Sequence, residues 1–102
     1  MVAVTVNDTD GKKRLVMSGH AGYSSGDDIV CAACSALVFA LFAWLEKHPK
    51  SLFSIDELQC EKGEVALCAA GDASFAAAFD MAVDGLEEIA KKYPKHVRIK
   101  RT

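Results

Sequence analysis

Valine alternates with smaller or polar residues from Val2 to Asp8, a period of two that predicts a half-buried strand. Arg14 to His20 (RLVMSGH) is a second extended run, and the turn-forming residues Asn7 to Gly11 between the two predict a hairpin. The pattern then changes: Ile29 to Leu45 (IVCAACSALVFALFAWL) has Ser35 as its single polar residue, which predicts a helix. Asp27 or Asp28 offers its N-cap, and Pro49 ends it near His48. Phe53 to Glu61 and Glu64 to Ala70, joined at Lys62-Gly63, read as a second hairpin. Beyond Gly71-Asp72, Phe75, Phe79, Ala82, Val83, Leu86, Ile89 and Ala90 recur at three and four, the mark of an amphipathic helix ending before Pro94. His96 to Arg101 predicts a last strand. The order ββαββαβ implies an α+β fold, a mostly antiparallel sheet with two helices packed on it.

The first helical run is close to the lower length for crossing a bilayer. Carboxylates at Asp27, Asp28 and Glu46 flank it and strand patterns lie on both sides, so it is expected to be buried on most faces of a single domain, 1–102, with no membrane partner. With 51% hydrophobic and 25% charged residues the chain has the composition of a compact domain. A net charge of -2 argues against direct nucleic-acid binding, although Lys91, Lys92, Lys95, Arg98, Lys100 and Arg101 concentrate positive charge at the end of the chain. The N-terminal stretch lacks the pattern of a secretory signal, so a cytoplasmic protein is expected, and with it reduced thiols at Cys31, Cys34, Cys60 and Cys68.

If Asp28 caps the helix, Cys31 is its third residue, where first-turn N–H groups and the positive end of the helix dipole favour a thiolate. His20 ends the preceding strand, and Gly22 and Gly26 give the intervening loop slack to bring the two together. A Cys–His pair at a helix start could act as nucleophile and general base, with the helix N–H groups receiving an oxyanion. Spacing alone leaves a plainer account open: a small core cysteine and a surface histidine. Asp28 could orient His20 or be only a cap, and Ser35, one turn after Cys31, could support the site or bond to its own helix.

The stretch from Gly19 to Leu37, with GHA, Tyr23, a glycine-bearing loop, DIVCAA and SAL, resembles the signature of the ribosomal-processing cysteine protease family, Prp. The resemblance implies an α+β homodimer without cofactor or metal, a hydrolase that trims the N-terminal extension of large-subunit ribosomal protein twenty-seven. On matching positions the nucleophile would be Cys31, the base His20 and the family's aspartate Asp28, with Gly22, Tyr23 and Gly26 in the loop over the site. That loop is shorter than is usual in the family, and Cys34 stands where an aliphatic residue is usual.

Cys34 also creates a rival, since Cys31-Ala32-Ala33-Cys34 at a helix start is the spacing of a thiol–disulfide oxidoreductase. Against it, no parallel strand-helix-strand pattern surrounds the pair. Zinc is disfavoured because Cys60 and Cys68, eight apart, make no second Cys-x-x-Cys; like Cys34, they are expected to be apolar fillers. A non-enzymatic ribosome-associated binding domain, using the basic C-terminal strand, is a third reading.

Overall fold

A computed structural model describes residues 1–19, 28–61 and 63–102. The elements are β1 (Val2–Thr9), β2 (Lys12–Ser18), α1 (Ile29–Lys47), β3 (Leu52–Glu61), β4 (Glu64–Gly71), α2 (Ala73–Lys92) and β5 (Val97–Arg101), with one turn of 3-10 helix at Pro49–Ser51. The ββαββαβ order is therefore observed, and three of the four strand pairings are antiparallel.

The first hairpin is tighter than its run of turn residues suggests. Asn7 and Asp8 pair with Arg14 and Lys13, leaving Asp10 (φ 56°) and Gly11 (φ 74°) as a two-residue turn. Two successive positive φ values match the right-handed twist of the strands they join. The Lys13 ammonium donates to Asp8 at 2.8 Å and helps hold this register.

The sheet runs β3-β4-β2-β1-β5, with β5 parallel to β1. Each helix makes a crossover that skips at least one strand, α1 from β2 to β3 over β4, and α2 from β4 to β5 over β2 and β1. The two crossovers start on antiparallel strands and run in opposite directions across the sheet, so right-handed connections put both helices on one face. Val4 and Val6 of β1, Leu15 and Met17 of β2, Leu67 and Ala69 of β4 and Val97 of β5 meet Val38 and Leu41 of α1 and Phe75, Phe79, Val83 and Leu86 of α2 in one core. The helices approach closely at Gly85, where an added Cβ would lie 2.8 Å from the Leu37 side chain.

The expectation that α1 is buried on most faces is corrected. Its buried residues are Val30, Cys34, Val38, Leu41 and Leu45, a single stripe at intervals of three and four, while Ile29, Ala32, Ala36, Phe39, Ala40 and Ala43 are exposed. The reason is geometric: two helices do not cover five strands. On edge strand β3, Ile55, Leu58 and Cys60 lie opposite Ala69, Leu67 and Val65, so they face the helix side, yet all three are exposed. The helix is long and apolar enough to cross a membrane, and its buried stripe is part of the same core as the strands.

Candidate active site

Asp28 has extended backbone angles, φ -86° and ψ 93°, and is the N-cap of α1. Its Oδ1 accepts the N–H of Val30 at 3.1 Å and of Cys31 at 3.0 Å, and its carbonyl accepts the N–H of Ala32 at 3.0 Å. Cys31 is thus the third residue of the helix, held in the first turn. Two of the first-turn N–H groups are bonded to the Asp28 side chain, so an oxyanion cannot use those two without displacing the cap.

Cys31, Ser35 and Phe39 follow one another at four-residue intervals on α1, a stripe beside the buried one, and line a cavity of about 440 Å3. The opposite wall comes from the second hairpin, Cys60 and Glu61 of β3 and Glu64 and Val65 of β4, with Gly63 in the turn. Val2, Met17 and Gly19 complete the lining. Gly19 is locked in place: its φ is +91°, its N–H donates to the Gly63 carbonyl at 3.0 Å, and a Cβ there would sit 2.3 Å from the Met1 carbonyl oxygen. The residue that follows β2 therefore has to be glycine.

Of the residues proposed from sequence, Cys31 and Ser35 line this cavity and Asp28 caps the helix that carries them. His20, Gly22, Tyr23 and Gly26 lie outside the described residues. Phe39, Gly19 and Cys60 were not anticipated as site residues. Phe39 was legible, eight residues after Cys31 on the same helical stripe. Nothing local in the sequence says that the end of β3 meets the start of α1, so Cys60 was not. The expectation of an apolar filler fails for Cys60, which is exposed, and for Cys68, which lies half-buried opposite Arg14 and Glu57, on the other face of the sheet.

Cys34, one turn inward, is 1% exposed and also reaches the cavity wall. Burial, with Cys31 and Asp28 as further causes, pushes its thiol up to about 11. It is therefore protonated at neutral pH.

Comparison with known proteins decides the class. The family model for cysteine protease Prp matches residues 1–98. The chain belongs to the cysteine protease Prp family. The ribosomal processing cysteine protease Prp of Mycoplasma genitalium is 37% identical over 87 residues, 83% of this chain and 84% of that protein. Among solved structures, the ribosomal processing protease Prp from S. aureus with a covalently linked product peptide superposes with a TM-score of 0.86 at 23% identity, over 100% of both chains. A Streptococcus mutans protein superposes with a TM-score of 0.75 at 25% identity, covering 100% of this chain and 94% of the other. Membership of the Prp family makes the chain a cysteine protease, a peptide hydrolase, and removes the oxidoreductase and non-enzymatic readings as descriptions of its class.

Proposed function

We propose that this protease removes the N-terminal extension of large-subunit ribosomal protein twenty-seven, in the cytoplasm and during ribosome maturation, with Cys31 as nucleophile and His20 as general base. The observation that carries the reading is the position of Cys31, third in a capped helix and on the wall of a cavity able to take several peptide residues. Gly19, the chain neighbour of His20, lines the same cavity and is fixed by its bond to Gly63. The relative from M. genitalium is itself named a ribosomal processing protease, and one S. aureus structure of the same fold holds a substrate peptide.

In this reading His20 takes the Cys31 proton, the thiolate attacks the scissile carbonyl, and the imidazolium protonates the leaving amine. Water then hydrolyses the thioester with His20 again as base. Because Asp28 Oδ1 holds the N–H groups of Val30 and Cys31, an oxyanion that draws on those two donors must displace the cap. Asp28 acts here as the cap that sets the height of Cys31, and Ser35 lies along the cavity wall one turn away.

We further propose a homodimer. Phe39 (56% exposed), Ile55 and Leu58 (50% exposed) form an apolar surface between α1 and β3 that a second copy would cover. Direct nucleic-acid contact is not part of the reading, and Arg101 and Lys91 of the basic C-terminal region already pair with acidic residues of α2.

The test is mass spectrometry of the precursor ribosomal protein after incubation with the wild-type chain and with Cys31→Ala. Loss of the extension with the first and an intact precursor with the second is expected. His20→Ala should slow cleavage by about two to four orders of magnitude. Cleavage by Cys31→Ala at the wild-type rate would refute the assignment.

A further inference from the structure

The cavity that carries Cys31 holds a second thiol that peptide hydrolysis does not use. Cys34 is buried in the core stripe of α1, yet it reaches the same wall three residues after Cys31. In an α-helix, residues three apart have Cα atoms about 5 Å from each other. That lies within the Cα range of about 4.4–6.8 Å of a disulfide, and the Cβ atoms, about 5–6 Å apart in a regular helix, must close to about 3.5–4.5 Å, so the bond distorts the first turns of α1. None of the four cysteines is in a disulfide in this structure. Cys60 stands on the facing strand and Cys68 on the other face of the sheet, so neither has a spacing to Cys31 set by the helix.

From this placement we infer that Cys31 and Cys34 form an oxidative modification site, in which a hydroperoxide oxidises Cys31 and Cys34 traps the product as a reversible disulfide that switches the protease off. The inference rests on the reading of Cys31 as the nucleophile.

The chemistry balances in two steps. The Cys31 thiolate attacks the outer oxygen of the hydroperoxide and the O–O bond breaks. The sulfur is oxidised by two electrons to a sulfenic acid, and the alkoxide leaves, taking up a proton to become an alcohol. The Cys34 sulfur then attacks the Cys31 sulfur and the S–O bond breaks. Hydroxide leaves with the Cys34 proton as water, and an S–S bond remains. A dithiol reductant returns the two electrons by thiol–disulfide exchange and restores both thiols. Burial assigns the two roles. Cys31, part-exposed at the helix start, meets the oxidant, whereas Cys34, buried and pushed up to about 11, is protected from direct oxidation and reacts only as its proton passes to the hydroxide leaving the Cys31 sulfur. Without Cys34, Cys31 would continue to the sulfinic acid, which thiols do not reduce.

The experiment treats the full wild-type chain, Cys34→Val, Cys34→Ala and Cys60→Ser with hydrogen peroxide, then divides each sample. One half is alkylated without reduction and mapped by mass spectrometry, and the other is assayed for peptide cleavage before and after dithiothreitol. The expected wild-type result is a Cys31–Cys34 peptide lighter by two hydrogens, unalkylated at both positions, with lost cleavage restored by the reductant. Cys60→Ser should show the same Cys31–Cys34 bond in the mass map. Both Cys34 variants should instead carry sulfinic acid at Cys31 and recover at least ~10-fold less activity. Valine overfills the buried site slightly and alanine underfills it, so a folding defect of one variant leaves the other to carry the test. A wild-type chain that ends as sulfinic acid at Cys31, or joins Cys31 to Cys60, overturns the inference while leaving the protease reading standing. A Cys31–Cys34 bond in a chain that cleaves nothing supports the thiol pair and overturns the protease reading instead.

Discussion

The two helices begin alike and end up with different tasks. Each is capped by an aspartate whose Oδ1 accepts two first-turn N–H groups, Asp28 from Val30 and Cys31 and Asp72 from Ser74 and Phe75. The third helical position is Cys31 in α1 and Phe75 in α2. Phe75 is buried in the core, tilted against Phe79 at a centroid distance of 6.0 Å, so the start of α2 is filled. Cys31 faces a cavity instead. The outer faces differ in the same sense: α2 presents Asp80, Asp84, Glu87 and Glu88 to solvent or to basic partners, whereas α1 presents alanines, Ile29 and Phe39. One local device, a capped helix start, thus serves packing in one half of the chain and chemistry in the other. The residue at the third position and the polarity of the outer face decide which.

Substitution at those third positions should separate the two tasks most strongly. Phe75→Ala removes a fully buried ring and is expected to cost about 3–5 kcal/mol in stability, read by chemical denaturation. Cys31→Ala should lose all cleavage while shifting the unfolding midpoint little. If the cysteine variant were the one that unfolds, the contrast between a structural and a chemical helix start would collapse.

The outer faces give the next effect. Phe39→Asp places a charge in the apolar surface between α1 and β3 and should turn a dimer into monomers in sedimentation. Met81→Asp on α2, at a residue exposed but set among acidic neighbours, should leave the mass unchanged. Equal masses for wild type and Phe39→Asp would mean that the apolar face of α1 is not where copies meet.

How much of this was readable from the chain follows from the range of the interactions involved. The valines of β1 and the three-and-four spacing of Phe75, Phe79, Val83 and Leu86 are local patterns, and the elements they predict are present. The cap at Asp28 was legible for the same reason. The exposure of α1 was not: a run with one polar residue in seventeen carries no periodicity to say which stripe is covered, and that depends on the uncovered helix side of β3. The cavity was half legible. Cys31, Ser35 and Phe39 share a helical stripe, but the facing wall at Cys60 and Glu61 arises from a crossover that skips β4.

The caps can be compared directly. Asp28→Ala and Asp72→Ala should each cost about 1 kcal/mol, because each leaves two first-turn donors without their acceptor. Asn can accept the same bonds, so Asp28→Asn should keep the stability and, with Asp28 acting only as a cap, keep cleavage within a few-fold of wild type. A loss by orders of magnitude in a stable Asp28→Asn would mean that its charge acts in the reaction.

The smallest effect concerns the residue six beyond each cap, Cys34 in α1 and Ala78 in α2. The folded Cys34 thiol titrates at about 11 against a reference of 9.0, so between these values the unfolded chain has released a proton that the folded chain keeps. The unfolded state then binds fewer protons, and stability falls as pH rises through this window, with no contribution from Cys34 below about 9 and no further loss above about 11. Lysines and tyrosines titrate in the same range, but they are common to wild type and Cys34→Val, so the difference between the two isolates the thiol. Denaturant titrations at steps from pH 8 to 11 should show wild type losing on the order of 1 to 2 kcal/mol relative to Cys34→Val. Parallel pH profiles would show that Cys34 ionises as easily in the fold as out of it, and the view of this position as a protected, protonated thiol beside Cys31 would fail.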